Sequence, residues 1–521
     1  MESDKSRELR FGKRMLSTVV VAVIALFAMS AVSVAADKPK RTIKGNMTEV
    51  YHKLPDNASN LMEIFTKGMY YGRLRTTIFK WNWEEHGKHD PRGFAVGGSL
   101  IYKTAPFYGV SATVGYYYSH TLDALKDRDA WFGKSGKDTF SRYDALNDNK
   151  WYMSVFAQAY LEYKFGKTDI KAGRMIVECP FVKSNDTKMI PNTMQGFTVK
   201  TKEIPKTTLN LMYFDKQKLR DHTKFHDVIT FGNNQYNQPN AEPWDKWANQ
   251  DDSAIHKGLS YTNLEAAGMH TNNRLIVLGL TNKSIPKLKL DVWGAIVPDL
   301  FATLLTEANY KISLGDGWTL TPGFRFMQQF DDGAGEIGGA ALTGKLAGMS
   351  GEAKGYDDAD SCDAKMYAGR LVLKKGPGKL HFGYSQVTDD ADFITPWRAW
   401  PTQGYTRSMA QYNWEADTKS WMIKGVYDFG KAGLIKGFKA SLDYTTMYYD
   451  DDKERLGSIK KTDRNIIHLD MWYKFPHLKK KYRWFEGLEA KARMGLVDAD
   501  DLSNGSDPSY NEFRFELNYL F

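Results

Sequence analysis

The chain has 521 residues, with 71 Lys or Arg against 62 Asp or Glu, for a formal charge of +9. That length exceeds one ordinary soluble core and leaves several domains or one large barrel. Hydrophobic residues make up 42% at a mean hydropathy of −0.50, which excludes a helical membrane bundle, while 28 Phe, 29 Tyr and 14 Trp suit strands and interfacial girdles.

Residues 1–36 read as a secretory signal peptide. Lys5, Arg7, Arg10, Lys13 and Arg14 form a basic start, residues 15–29 are apolar, and Ser33, Val34, Ala35 and Ala36 offer small residues for cleavage. The apolar run is shorter than the ~20 residues a spanning helix needs. Export permits a disulfide, so Cys179 and Cys362 are a candidate pair, with two free loop thiols as the alternative. Residues 37–68 form a periplasmic segment ahead of the barrel, in which 60–65 reads as a short helix capped by Ser59.

From residue 69 to 521 the periodicity is 2. Eighteen strand candidates follow one another: 70–81, 93–104, 108–119, 151–165, 169–177, 194–203, 207–216, 273–283, 287–297, 301–314, 318–330, 365–375, 379–388, 420–429, 438–449, 464–475, 488–497 and 510–521. A tilted strand crosses a bilayer in about 9–11 residues, close to these lengths. The connections alternate. Short ones at 105–107, 166–167, 204–206, 284–286, 315–317 and 376–378 each carry Gly or Pro as turn residues. Long ones lie at 120–150, 178–193, 217–272, 331–364, 389–419, 450–463 and 498–509. The link at 298–300 is short where a long one is due, and 476–487 is long and basic where a short one is due. With no helical crossovers, this is an all-β, transmembrane, antiparallel up-and-down β-barrel of about 18 strands, with short periplasmic turns and long extracellular loops.

The faces separate cleanly on several strands. Ile467, Leu469, Met471 and Tyr473 oppose His468, Asp470 and Lys474; Phe513, Phe515, Leu517 and Tyr519 oppose Arg514, Glu516 and Asn518. A charged face inside a narrow barrel is costly, but about eighteen strands enclose water, so the apolar face meets lipid and the charged face a wet lumen. The last strand ends on Phe521 and closes the sheet against the first. Trp81, Trp83, Trp131, Trp151, Trp318, Trp472 and Trp484 lie near strand ends, where interfacial girdles sit.

The inward cations are Arg73, Arg75, Arg174, Arg325, Arg370, Lys424, Lys439, Lys491, Arg493 and Arg514. They are either a basic ladder for carboxylates and phosphates or, with inward acids such as Glu162, Glu307, Asp443, Asp470 and Glu516, a mutually neutralising wall. Arginine suits the first role because its planar fork grips a carboxylate in two places and stays charged.

Gly72-Arg73-Leu74-Arg75, Gly173-Arg174, the run Met189-Ile190-Pro191-Asn192-Thr193-Met194-Gln195-Gly196-Phe197 and Thr201-Lys202-Glu203-Ile204 resemble the OprD-type outer-membrane porins. The resemblance implies an eighteen-stranded barrel, a pore narrowed by the third and seventh extracellular loops, and passive uptake of small carboxylate-bearing nutrients. Carried over by position, the third loop is about 178–191 and the seventh about 389–419. Lys183, Asp186 and Lys188 then edge the constriction, with Arg398 and Arg407 beside Trp397, Trp400 and Tyr405. The alternative for these loops is a cap that touches only water or lipopolysaccharide.

No catalytic, nucleotide-binding or haem motif is present, so no enzyme and no cofactor is expected, and the acidic runs 357–360 and 450–452 lack metal-loop spacing. The expected partners are outer-membrane lipid, lipopolysaccharide and small hydrophilic solutes, with no nucleic acid and a homotrimer as one assembly. The reading is a porin of the bacterial outer membrane that favours anionic solutes. An adhesin or structural barrel with a plugged lumen, binding through 217–272, is the alternative.

Overall fold

The structure is a computed structural model that describes residues 41–43, 49–51 and 54–521, apart from 89, 123–138, 142–143, 146–147, 185–187, 231–255, 270–271, 346–353, 395–403, 410–411, 455–460 and 482–486. The signal peptide, Asp186, Trp131, Trp397, Arg398, Trp400 and Trp484 lie outside the described residues.

Eighteen strands form one closed antiparallel sheet. They are β1 (Met69–Trp83), β2 (Arg92–Lys103), β3 (Val110–Thr121), β4 (Tyr152–Phe165), β5 (Thr168–Met175) and β6 (Thr193–Thr201). Next come β7 (Thr207–Lys218), β8 (Leu275–Asn282), β9 (Leu288–Val297), β10 (Phe301–Tyr310, resumed at Ile312–Gly315), β11 (Trp318–Asp331) and β12 (Ala364–Lys375). The sheet ends with β13 (Gly378–Val387), β14 (Lys419–Asp428), β15 (Phe438–Tyr448), β16 (Arg464–Lys474), β17 (Leu488–Ala499) and β18 (Tyr510–Leu520). Each strand matches an expected one to within a few residues at either end. Period-2 alternation between an apolar and a charged face has no helical solution, so it survives into the structure intact.

Burial alternates along the wall. On β18, Tyr510, Glu512, Arg514, Glu516, Asn518 and Leu520 are buried while the residues between them are not. Outside, Tyr70, Leu74, Phe156, Leu161, Phe324, Phe382 and Leu442 stand exposed, as lipid-facing side chains must. The inner face is the polar one, and the loops fold down onto it.

Closure removes the two edges a sheet of this length would otherwise present. β18 pairs with β1 from Tyr510↔Trp83 to Leu520↔Arg73. The seam is finished by Phe521 and Gly72, which exchange backbone hydrogen bonds of 3.1 and 3.2 Å. Gly72 has no room for a side chain, because a Cβ there would collide with the Ser99 carbonyl oxygen and the Phe521 ring. Gly72→Val is therefore expected to block closure: the variant should run as unfolded barrel on a heat-modifiability gel, whereas a normally folded band would show that the seam tolerates a side chain.

Ahead of β1, a hairpin pairs Arg41–Ile43 with Glu49–Tyr51 over three residue pairs. The helix spans Leu61–Thr66 with Asn60 as its cap, accepting from the Glu63 amide. The expected cap was Ser59. Ser59 instead donates its backbone amide to Glu63, at 2.7 Å, so the two neighbouring residues share the capping box. The girdle expectation also needs correction at three tryptophans. Trp81 and Trp83 lie on the inner face of β1 with Tyr510, which stacks on Trp81 at 3.6 Å. Trp472 shares the inner face of β16 with His468 and Asp470. Aromatic residues at strand ends mark a membrane interface only when they point outward, and Trp318 is one that does.

Candidate functional site

The inner wall is most strongly charged at the seam. Opposite each other across the sheet stand Arg493 and Arg514, with Asp470 beside Arg493 and Lys491 beside Glu516. Arg493 grips Asp470 with two contacts of 2.7 and 3.2 Å. The same carboxylate takes His468 at 2.7 Å and Lys491 at 3.9 Å. Arg514 pairs with Glu512, and Arg75 reaches Glu516 at 3.3 Å. Arg73 is buried on the same wall. Like charges directly opposed on neighbouring strands destabilise a sheet, so the Arg493–Arg514 pair costs stability unless carboxylates or solutes offset it.

A second cluster sits across the lumen. Arg325 and Arg370 share Glu307, Arg370 at 3.3 Å. Both guanidiniums stack on Tyr405 of the seventh loop, at 5.1 and 4.3 Å from its ring. Between the clusters Lys424 pairs with Asp443 at 2.9 Å, and Asp443 also meets His468 at 3.1 Å. Lys439 and Lys491 flank the Trp472 ring at 5.4 and 5.3 Å. Among the described residues, Lys374, Lys379 and Lys439 on the inner wall have no ion-pair partner. Lys374 and Lys379 were not foreseen as pore residues.

The wall cations are largely paired. Arg75, Arg325, Arg370, Lys424, Lys491, Arg493 and Arg514 each have a carboxylate within reach, but Glu307 and Asp470 each serve more than one cation. Sharing braces the wall and still leaves positive charge in excess.

One inward assignment is corrected. Arg174 stands opposite Ala159 and Gln195, in the row that continues through Ala172 and Phe197 on the outer face. The inner row of β5 is Asp169, Lys171 and Gly173, and Lys171 meets Glu162 at 3.3 Å. Arg174 donates to Gln195 at 3.1 Å and covers the Phe225 ring at the rim.

Several loops pack on the inner wall, the third, fourth and seventh among them. In the third, Met189 and Ile190 lie against Ala95, Tyr117 and Met153, and buried Lys188 sits 5.9 Å from the Phe79 ring. Lys183 is turned instead toward Glu178, at 3.7 Å. The seventh loop is pinned by a buried polar knot: Thr406 lies 2.7 Å from Ser420, and Asn413 donates to Thr406 at 2.6 Å and to Ser385 at 2.8 Å. Next to that knot, Ser408 donates to Asp443 at 2.7 Å. It delivers Arg407 into the neighbourhood of Arg493, Arg514 and Arg220. Burial, then the fields of those three guanidiniums, push the Arg407 guanidinium down to about 9, against the opposing pull of Tyr412. Arg220 belongs to the fourth loop, whose part in the wall was not foreseen. Lys218, at the end of β7, ties that loop to the third by donating to the Pro191 carbonyl at 2.8 Å.

The candidate disulfide is also corrected. Cys179 and Cys362 are both free and buried. Burial pushes the Cys179 thiol up to about 11 and raises Cys362 as well, so both stay protonated.

The sequence pattern of the OprD family of outer membrane porins matches residues 109–519. No curated protein matches the chain. Among solved structures, Pseudomonas aeruginosa OpdK with vanillate is similar at 13% identity and a TM-score of 0.62, over 88% of this chain and 99% of OpdK. Acinetobacter baumannii OccAB1 is similar at 15% identity and a TM-score of 0.65, over 90% of this chain and 99% of its own. A BenF-like porin from Pseudomonas fluorescens Pf-5 follows at 16% and 0.62, over 88% and 99%. At such identities these three establish a shared fold.

Proposed function

The chain belongs to the OprD family of outer membrane porins, and from that we propose that its water-filled channel favours small anionic solutes, carboxylates foremost. The protein is a porin of the bacterial outer membrane that passes small solutes. Its selectivity rests on one observation above the others: Arg407, Arg220, Arg493 and Arg514 converge on a single stretch of inner wall. A carboxylate passing there relieves the repulsion among them and accepts hydrogen bonds from planar forks suited to it. The excess lysines Lys374, Lys379 and Lys439 extend the positive field toward the periplasmic mouth. The similar barrel of OpdK has been solved with vanillate, itself a carboxylate.

In this reading Lys188 and Arg407 edge the narrow part of the path, and the wall cations Arg73, Arg75, Arg325, Arg370 and Lys424 line it. Residues 1–36 direct export, and 37–68 remain in the periplasm. Planar-bilayer recordings across a salt gradient are expected to give a reversal potential on the anion side. A potential on the cation side would overturn the selectivity while leaving the channel itself in place.

A further inference from the structure

We infer that the outer wall carries a binding groove for one glycerophospholipid of the periplasmic leaflet. The groove lies on the lipid face of β12–β15 and has a volume of about 460 Å³. The register explains it. The outward row Leu373, Leu380, Gly425, Leu442 and Leu469 lacks a side chain at Gly425. The next row toward the periplasm runs Lys375, Gly378, Tyr427 and Ala440, and is hollow at Gly378 and Ala440. A Cβ built on Gly425 meets nothing within 4 Å, so the hollow is open space. Gly425, Gly378 and Ala440, all small, surround Tyr427 on its own and the adjacent strands and leave a slot walled by leucines and the Tyr427 ring.

The slot's periplasmic end supplies the second half of the site. Lys375 lies there with its ammonium 5.0 Å from the Trp318 ring, next to the turn that joins β12 to β13. A tryptophan and a cation at headgroup depth are the pair that engages a lipid phosphate, with the indole at the interface and the ammonium on the anion. Lys379 also borders the groove but faces the lumen by register, so the outward charge is Lys375 at the headgroup end; that fits a lipid better than a second barrel, which would have to leave the ammonium unmatched against an apolar wall.

Native mass spectrometry of the full chain in detergent, after addition of phosphatidylglycerol, tests the groove. The wild type is expected to retain one lipid through mild activation. Gly425→Leu fills the slot and should lower retention about tenfold, the equivalent of roughly two buried methylenes. Lys375→Gln should lower retention of phosphatidylglycerol but not of diacylglycerol. Both variants should conduct as the wild type does, which shows that the barrel has formed. Unchanged lipid retention in Gly425→Leu overturns the inference. So does a change in oligomeric state with lipid retention unaltered, which would assign the groove to a second copy.

Discussion

Exchanging Arg407 for Gln should lower carboxylate flux about tenfold and leave neutral sugars of equal size within about twofold, since a charge-assisted contact is worth about 1.5–3 kcal/mol and the wet lumen takes the low end. Liposome flux assays with matched solutes measure both. Arg407, like Arg220, reaches the wall arginines from a loop, so its loss removes charge without touching the barrel. An equal fall for neutral sugars would show that Arg407 merely props the seventh loop. The same residue predicts a pH effect with a definite sign. Its guanidinium is protonated below about 9 and loses its charge as pH rises past that value. Wild-type anion preference should therefore hold at neutral pH and weaken in alkali. The Arg407→Gln channel should show a smaller loss over that range.

Asp470→Asn should cost the barrel about 3 kcal/mol, because it strands buried cations that a single carboxylate had held. Arg493, His468 and Lys491 all converge on Asp470, whose side chain is 7% exposed. Urea unfolding in lipid vesicles reads the loss. Removing Arg493 as well, in an Asp470→Asn, Arg493→Gln double variant, should recover part of it, since fewer cations are then left without a counter-charge. A single variant as stable as the wild type would mean that lumen water already screens the cluster. The single variant should also shift the reversal potential further toward anions, which separates it from simple unfolding.

The barrel was legible because its strands contrast sharply from residue to residue. Ile467, Leu469 and Met471 against His468 and Asp470 leave only one register that puts charge in water. Arg174 breaks the pattern of its own strand: Asp169 and Lys171 mark the inner row and Ile170 and Ala172 the outer, and Arg174 falls on the outer row against its charge. The cations were legible by type, but their pairing was not. Alternation says which side a residue faces and nothing about which carboxylate bends toward it. Arg220 was missed for a different reason. Loops have no period, and a loop side chain enters a site through the fold of the whole connection rather than through its own neighbours. Trp81 and Trp472 show the limit of composition: a large aromatic side chain near a strand end fits an outer girdle and an inner core equally well.

The seam has a consequence for how the barrel comes into being. Arg75 and Glu516, which meet across it, are 441 positions apart in the chain. Every other strand pair joins neighbours in sequence, over connections far shorter than the chain, at lower entropic cost. Only the last pairing spans nearly the whole chain, so it has the highest contact separation and is expected to form last. Until Phe521 reaches Gly72, β1 and β18 each present a bare row of backbone donors and acceptors. A chain cut short by its final strand leaves β1 and β17 as open edges, so the unfinished barrel exposes a strand-pairing surface that the finished one lacks.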